Sequence, residues 1–136
     1  MLRPFLTMRL PSPPYLVAEW DARGRVLDIA YAEETVLTDA MGDETAAWLD
    51  RVLREQGPHL AILVDAKNVR DASAAYRQKL GSWFRDHRQT TRMAVYNLTP
   101  LVRVMALLFG KATRFPMKIA GSREEALRWL MPVSMP

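Results

Sequence analysis

Two carboxylates and a serine sit where chemistry is most often placed. Asp65 closes the apolar run Leu60-Ala-Ile-Leu-Val64, and Asp71 and Ser73 follow within eight residues, with Asn68 between them. An acid at the C-terminal end of a strand occupies the usual ligand end of an α/β sheet. General acid–base catalysis needs a second acid, base or metal within reach of it. No such partner is evident. The two histidines, His59 and His87, are far apart and lack metal-ligand spacing, so no metal site is expected. The chain has no cysteine, which excludes a disulfide framework, a thiolate metal site and a cysteine nucleophile. There is no GxGxxG and no GxSxG. Gly110-Lys111 would need a glycine at Met105 to be a phosphate loop. The residues therefore point away from an enzyme and away from any cofactor. Asp71 or Ser73 is expected to cap a helix, and Asn68 to serve a turn.

The elements that hold these residues follow from periodicity. The first fourteen residues end in Pro11-Ser-Pro-Pro14 and read as an arm, with room for a short edge strand. Tyr15–Trp20 and Val26–Tyr31 read as strands joined through Asp21-Ala-Arg-Gly24. In the second, Leu27, Ile29 and Tyr31 share a face opposite Asp28. A helix is expected over Asp43–Gln56, with Asp43 as N-cap and Gly57-Pro58 as its stop. Trp48, Leu49, Val52 and Leu53 form its buried stripe. Leu60–Val64 reads as a strand covered on both faces. The next helix runs from Asp71 or Ser73 to about Arg88 and buries Tyr76, Leu80, Trp83, Phe84 and His87. Arg92–Tyr96 is a further strand. Thr99-Pro100 opens a third helix that is apolar nearly all round. Pro116–Ala120 is a last strand, and Ser122-Arg-Glu-Glu125 is a capping box for a helix through Met131.

The order β-β-α-β-α-β-α-β-α predicts a single α/β domain. Its sheet is mixed but mostly parallel, with an N-terminal antiparallel hairpin and about four flanking helices. The expected divisions are an arm over 1–14, the domain over 15–131 and a tail over 132–136. With 136 residues and 49% hydrophobic residues the chain has room for one self-sufficient core. The charge of +4 comes from fifteen arginines and four lysines against fifteen acids. Arg77, Arg85, Arg88 and Arg92 read as a solvated face, so no nucleic-acid partner is expected. No apolar run approaches the roughly 20 residues a bilayer span needs, and the N-terminus does not read as a signal peptide. The cytoplasm is the default. Leu2, Phe5, Leu6, Met8 and Leu10 make the arm apolar enough to fold back on its own domain or to cover a neighbour in a homodimer.

Three segments together resemble a known family. Leu60-Ala-Ile-Leu-Val-Asp65 with its loop and helix resembles the central segment of bacterial STAS domains, the anti-sigma-factor antagonists. Arg92-Met-Ala-Val-Tyr-Asn-Leu-Thr-Pro100 followed by Val102–Phe109 resembles their next strand and helix. Ile119-Ala-Gly-Ser-Arg-Glu-Glu-Ala-Leu-Arg-Trp-Leu130 resembles their closing strand and helix. The match spans about residues 15–131 and is nearest to the SpoIIAA-like branch, which is related to lipid-transfer domains. The resemblance implies a non-enzymatic regulatory module that binds a protein partner through Asp65, Asn68, Asp71, Ser73 and Tyr76. Antagonists of this family carry an Asp-Ser-Ser-Gly-type segment with a phosphorylated serine. Here the loop has Ser73 as its one serine, the candidate phosphorylation site, and lacks the glycine. Thr113 stands where the family often has glycine. The alternative the resemblance implies is binding of a lipid or other apolar small molecule. Leu101, Met105, Leu108, Phe109 and Phe115 would then line its pocket.

Overall fold

The computed structural model describes residues 7–23 and 25–131. Leu2, Phe5 and Leu6 of the expected arm, and the tail over 132–136, lie outside the described residues. The first strand, β1 (Thr7–Leu10), pairs antiparallel with β2 (Leu16–Asp21), which pairs antiparallel with β3 (Val26–Tyr31). Thr7–Leu10 therefore joins the sheet from within the stretch expected as an arm. The Pro11-Ser-Pro-Pro14 turn between these strands is held by Trp48, whose Nε1 donates to the Pro11 carbonyl at 2.8 Å.

Two short strands, β4 (Thr35–Leu37) and β6 (Val69–Ala72), were not expected. They pair with each other in parallel as a separate two-stranded sheet. The expected loop between Asp65 and Ser73 is therefore half strand. Three or four residues carry no alternation that could announce a strand, and this pairing joins positions more than thirty residues apart.

The helix α1 (Asp39–Gln56) starts four residues before the expected Asp43, with Thr38 as its N-cap. Asp43 lies a turn inside the helix, where it pairs with Lys79 at 2.7 Å. Gly42 misleads the reading, because a glycine usually signals a loop. Here it allows a close crossing, since a Cβ on Gly42 would meet the Tyr76 backbone at 3.2 Å. Gly57 ends the helix as expected, at φ +113°.

The remaining elements are β5 (Leu60–Asp65), α2 (Ala74–Asp86), β7 (Thr91–Tyr96), α3 (Pro100–Thr113), β8 (Met117–Ile119) and α4 (Arg123–Leu130). The main sheet runs β1-β2-β3-β5-β7-β8, and every pairing from β3 to β8 is parallel. This is the expected α/β class: a mixed main sheet, antiparallel at its N-terminal side, with four helices among the described residues. Thr99 caps α3 with its side chain, and Pro100 follows at the first turn, as the sequence implies. At α4 the box is only half made. Ser122 accepts from the Glu125 amide, but Glu125 accepts from Gly121 rather than from Ser122.

The core has two faces. Leu27, Ile29, Leu60 and Ile62 of the sheet pack with Trp48, Leu49, Val52, Leu80, Trp83 and Phe84 of α1 and α2. On the other face Val26, Ala61, Leu63 and Ala94 pack under Ala126 and Leu130 of α4. The run Leu60–Val64 is thus buried on both sides, which explains why it shows no alternation.

At the N-terminal end of the parallel strands three arginines meet three helix ends. Arg25 donates to the Gln56 carbonyl at 2.8 Å, at the end of α1. Arg88 donates to the Arg85 carbonyl near the end of α2, and Arg92 to that of Leu130 at the end of α4. His87 belongs to the same layer. It follows the last turn of α2, stacks on Trp83 at 4.0 Å and bonds the Trp83 carbonyl through Nδ1.

Candidate functional site

The corner formed by the C-terminal end of β5, by β6 and by the start of α2 holds all five residues expected to meet a partner. Asp65 is a local organiser. Its Oδ1 accepts from the Lys67 amide at 2.9 Å and from Asn97 Nδ2 at 3.1 Å. Asn97 itself sits at φ 62°, a left-handed conformation that asparagine tolerates better than most residues. Asn68 ties the corner to β3 by donating to the Tyr31 carbonyl at 2.9 Å.

The cap of α2 is Ser73. Its Oγ accepts from the Tyr76 amide at 3.0 Å and donates to Asp39 Oδ1 at 2.6 Å, which links α2 to the first turn of α1. Asp71 is no cap: it lies in β6, exposed, and its Oδ1 accepts from the adjoining Ala72 amide. Ser73→Ala is therefore expected to cost about 1 kcal/mol. Asp71→Ala should stay within about 0.5 kcal/mol of the parent. Urea unfolding of the two variants separates these roles.

Tyr76 departs furthest from its expected role. Its side chain packs against the core and borders an internal cavity with Tyr31 and Thr45, so it is not offered to a partner. The Tyr15 hydroxyl lies 2.7 Å from Thr45 Oγ1 and donates to the Met41 carbonyl at 3.0 Å. Burial is the first cause of every tyrosine shift in the molecule. It pushes Tyr31 up to about 12 and Tyr76 well above the ordinary tyrosine range.

Tyr31, Thr45 and Tyr76 border a cavity of about 150 Å³ between the sheet, α1, α2 and α3. Of the five residues expected to line an apolar pocket, Met105 and Phe109 do so. Leu101 and Leu108 are 54% and 57% exposed and face outward. Phe115 is buried in the core, stacked on Phe84 at 4.5 Å, and does not border the cavity. Ile62, Val95, Leu80 and Phe84 take their places, together with Tyr31, Thr45 and Tyr76. The alternation that puts Tyr31 on one face with Leu27 and Ile29 is the one sequence signal of this polar wall.

The outer face of α3 bears a row of half-exposed aliphatic residues: Leu101, Val104, Leu107 and Leu108. The helix contains no acidic residue. A further polar cluster lies on the α4 side of the sheet, where Arg123 binds Asp28 at 2.8 Å and the Tyr96 hydroxyl at 3.1 Å. Among the described residues no group of three histidine, aspartate or glutamate side chains converges as metal ligands. None of their helices is long and apolar enough to cross a membrane.

A sheet that is antiparallel at one side and parallel at the other, flanked by four helices, defines the STAS-like class of α/β proteins. The pattern of the SpoIIAA-like family matches residues 26–131, and the chain belongs to that family. Three solved structures share the fold. A protein from Shewanella loihica with a SpoIIAA-like fold is 15% identical, with a TM-score of 0.58 over 96% of both chains. The unphosphorylated anti-sigma-factor antagonist SpoIIAA is 12% identical, with a TM-score of 0.58 over 93% of this chain and 99% of that one. SiaC of Pseudomonas aeruginosa is 12% identical, with a TM-score of 0.52 over 85% and 98%. No curated protein matches the sequence.

Proposed function

We propose that this chain is a non-enzymatic regulatory module that docks a protein partner. The docking face comprises the exposed part of the β6–α2 corner and the outer row of α3, which packs beside β6. The observation that carries this reading is the α3 row. Four aliphatic side chains, each more than half exposed on one helix, are a patch that a lone soluble domain has reason to cover. The fold shared with an anti-sigma-factor antagonist supports the same class of role. Asp71 and Arg70 supply exposed charge at the corner. Asp65, Asn68 and Tyr76 serve it from behind by holding its shape.

Ser73 remains the candidate phosphoacceptor. A phosphate there would set a dianion against Asp39, which now accepts from the same oxygen, while the α2 amides would favour it. The modification would thus exchange the α1–α2 link for a charged helix start, a change a partner at this corner would sense.

Affinity capture with the wild type and with a Val104→Asp/Leu108→Asp variant tests the docking face. One protein recovered in stoichiometric amount by the wild type and lost from the variant is the expected result. Recovery unaffected by the variant counts against this face, and so does the absence of any specific protein. A second copy of the chain is the competing occupant. Light scattering that shows a dimer for the wild type and a monomer for the variant would assign the row to self-association.

The cavity favours a second reading, uptake of a small apolar molecule. Its volume suits a single ring and is far too small for a two-chain lipid.

A further inference from the structure

The N-terminal end of the parallel strands holds a recess of about 420 Å³. Three neighbouring strands bring nitrogen donors to it. Arg25 precedes β3, His59 precedes β5, and Arg88 and Arg92 stand before and within the start of β7. The register sets Val26, Ala61 and Arg92 side by side. The chains that carry Arg25 and Arg92 thus flank the central strand about 10 Å apart, two strand spacings. The rest of the wall is apolar or neutral, and no acidic residue borders it.

The arginines here are held in place without being used up. A guanidinium carries five N–H donors on three nitrogens. Arg25 commits only Nη2, to the carbonyls of Gln56 and His59 at 2.8 and 3.0 Å, and lies over the Trp20 ring at 5.5 Å. Arg88 commits Nη1 to the Arg85 carbonyl, and Arg92 commits Nη2 to that of Leu130. Among the described residues, no carboxylate pairs with any of the three, whereas Arg70 and Arg123 are each paired with an acid. The helix carbonyls behind them cancel only part of their charge. The backbone is shaped to this arrangement. Arg25 is left-handed at φ 56°, a conformation that a residue with a side chain seldom adopts. Gly57 leaves room beside it, since a Cβ there would meet Arg25 Nη2 at 2.8 Å. Guanidiniums fixed in this way have already lost the freedom that binding an anion would otherwise cost them.

We propose that this recess is a binding site for a small soluble anion with two linked phosphoryl groups, pyrophosphate in chemical class. One group faces Arg25 and His59 on one side of β5, and the other faces Arg88 and Arg92 on the other side. The free edges of the guanidiniums supply charge-assisted hydrogen bonds to the phosphoryl oxygens. The site lies at the end of the sheet opposite the β6–α2 corner and stands independently of the protein-docking face.

Calorimetric titration of the full chain with pyrophosphate and with inorganic phosphate, at matched ionic strength, tests the site. The wild type should bind pyrophosphate about tenfold more tightly than phosphate. Arg88→Gln, at an exposed position, should weaken pyrophosphate about tenfold, the loss of one charge-assisted hydrogen bond. Arg103→Gln removes the same charge from the exposed side of α3 and should leave the affinity within about twofold. Should Arg88→Gln fail to fold, His59→Ala takes its place with a loss of about fivefold expected, since the exposed His59 side chain supports no element. Equal losses in Arg88→Gln and Arg103→Gln would reduce the effect to net charge and overturn the site. Phosphate bound as tightly as pyrophosphate overturns the assignment of two linked groups. No binding of pyrophosphate by the wild type overturns the proposal as a whole.

Discussion

Leu63→Ala should lower the stability of this protein by roughly 3 kcal/mol. Leu63 is fully buried in the central strand β5, between β3 and β7. Its side chain faces α4, where Ala126 and Leu130 are also fully buried. The strands on either side hold the backbone in place, and the opposing helix is only eight residues long. Neither can collapse easily into the space left behind, so the loss of transfer free energy is joined by the cost of a cavity. Leu101→Ala makes the control: more than half exposed on α3, it should change stability by under about 0.5 kcal/mol. Urea denaturation of both variants checks the pair, and equal losses would mean that α4 does not seal this face.

The second large effect is expected in alkali. All four tyrosines are raised above their ordinary value, with burial as the first cause in each case. A tyrosine is neutral when protonated, so a raised value means that the folded chain keeps protons an unfolded chain would release. That contribution is fully present below about pH 10 and is lost as the pH climbs through the folded value, about 12 for Tyr31. Tyr31 alone accounts for about 3 kcal/mol across that window. Tyr76 adds to it, because its neighbours Tyr31 and Tyr15 would carry like charge once ionised. Tyrosinate absorbance and circular dichroism should therefore change together between about pH 10 and 12. A tyrosinate signal completed while the fold persists would mean that the tyrosine hydroxyls are open to water.

What could be read from the sequence follows from how strongly each segment repeats. The stripe Trp48, Leu49, Val52 has one phase, and it fixes the inner face of α1 even though Gly42 hid where the helix begins. The strand Leu60–Val64 and the Thr99-Pro100 start were equally plain, because a long apolar run and a cap followed by proline each have one structural solution. The third helix had no such phase. With apolar residues on every side, Leu101 and Leu108 look as suited to a cavity as Met105 and Phe109, and only the packing against α2 and the sheet separates them. The pairing of Thr35–Leu37 with Val69–Ala72 was out of reach for another reason. Strands this short are made by their partner and not by their own pattern. At the site, a cap near the start of α2 was evident, but Asp71 and Ser73 are two residues apart and both can cap. The inward turn of Tyr76 depends on Tyr31, Thr45 and Tyr15, which three different segments supply.

The three arginines at the base of the sheet change what a charge of +4 means. Each places its guanidinium on the carbonyl end of a helix, where the aligned peptide groups carry roughly half a negative charge. About half of each guanidinium's charge is thereby offset, so the count of +4 overstates the field at that pole. The positive ends of α1 and α2 meet at the opposite pole, where Ser73 caps α2 and bonds Asp39 in the first turn of α1. Each pole thus carries side chains whose sign opposes the helix ends beside it, an arrangement that a residue count does not reveal.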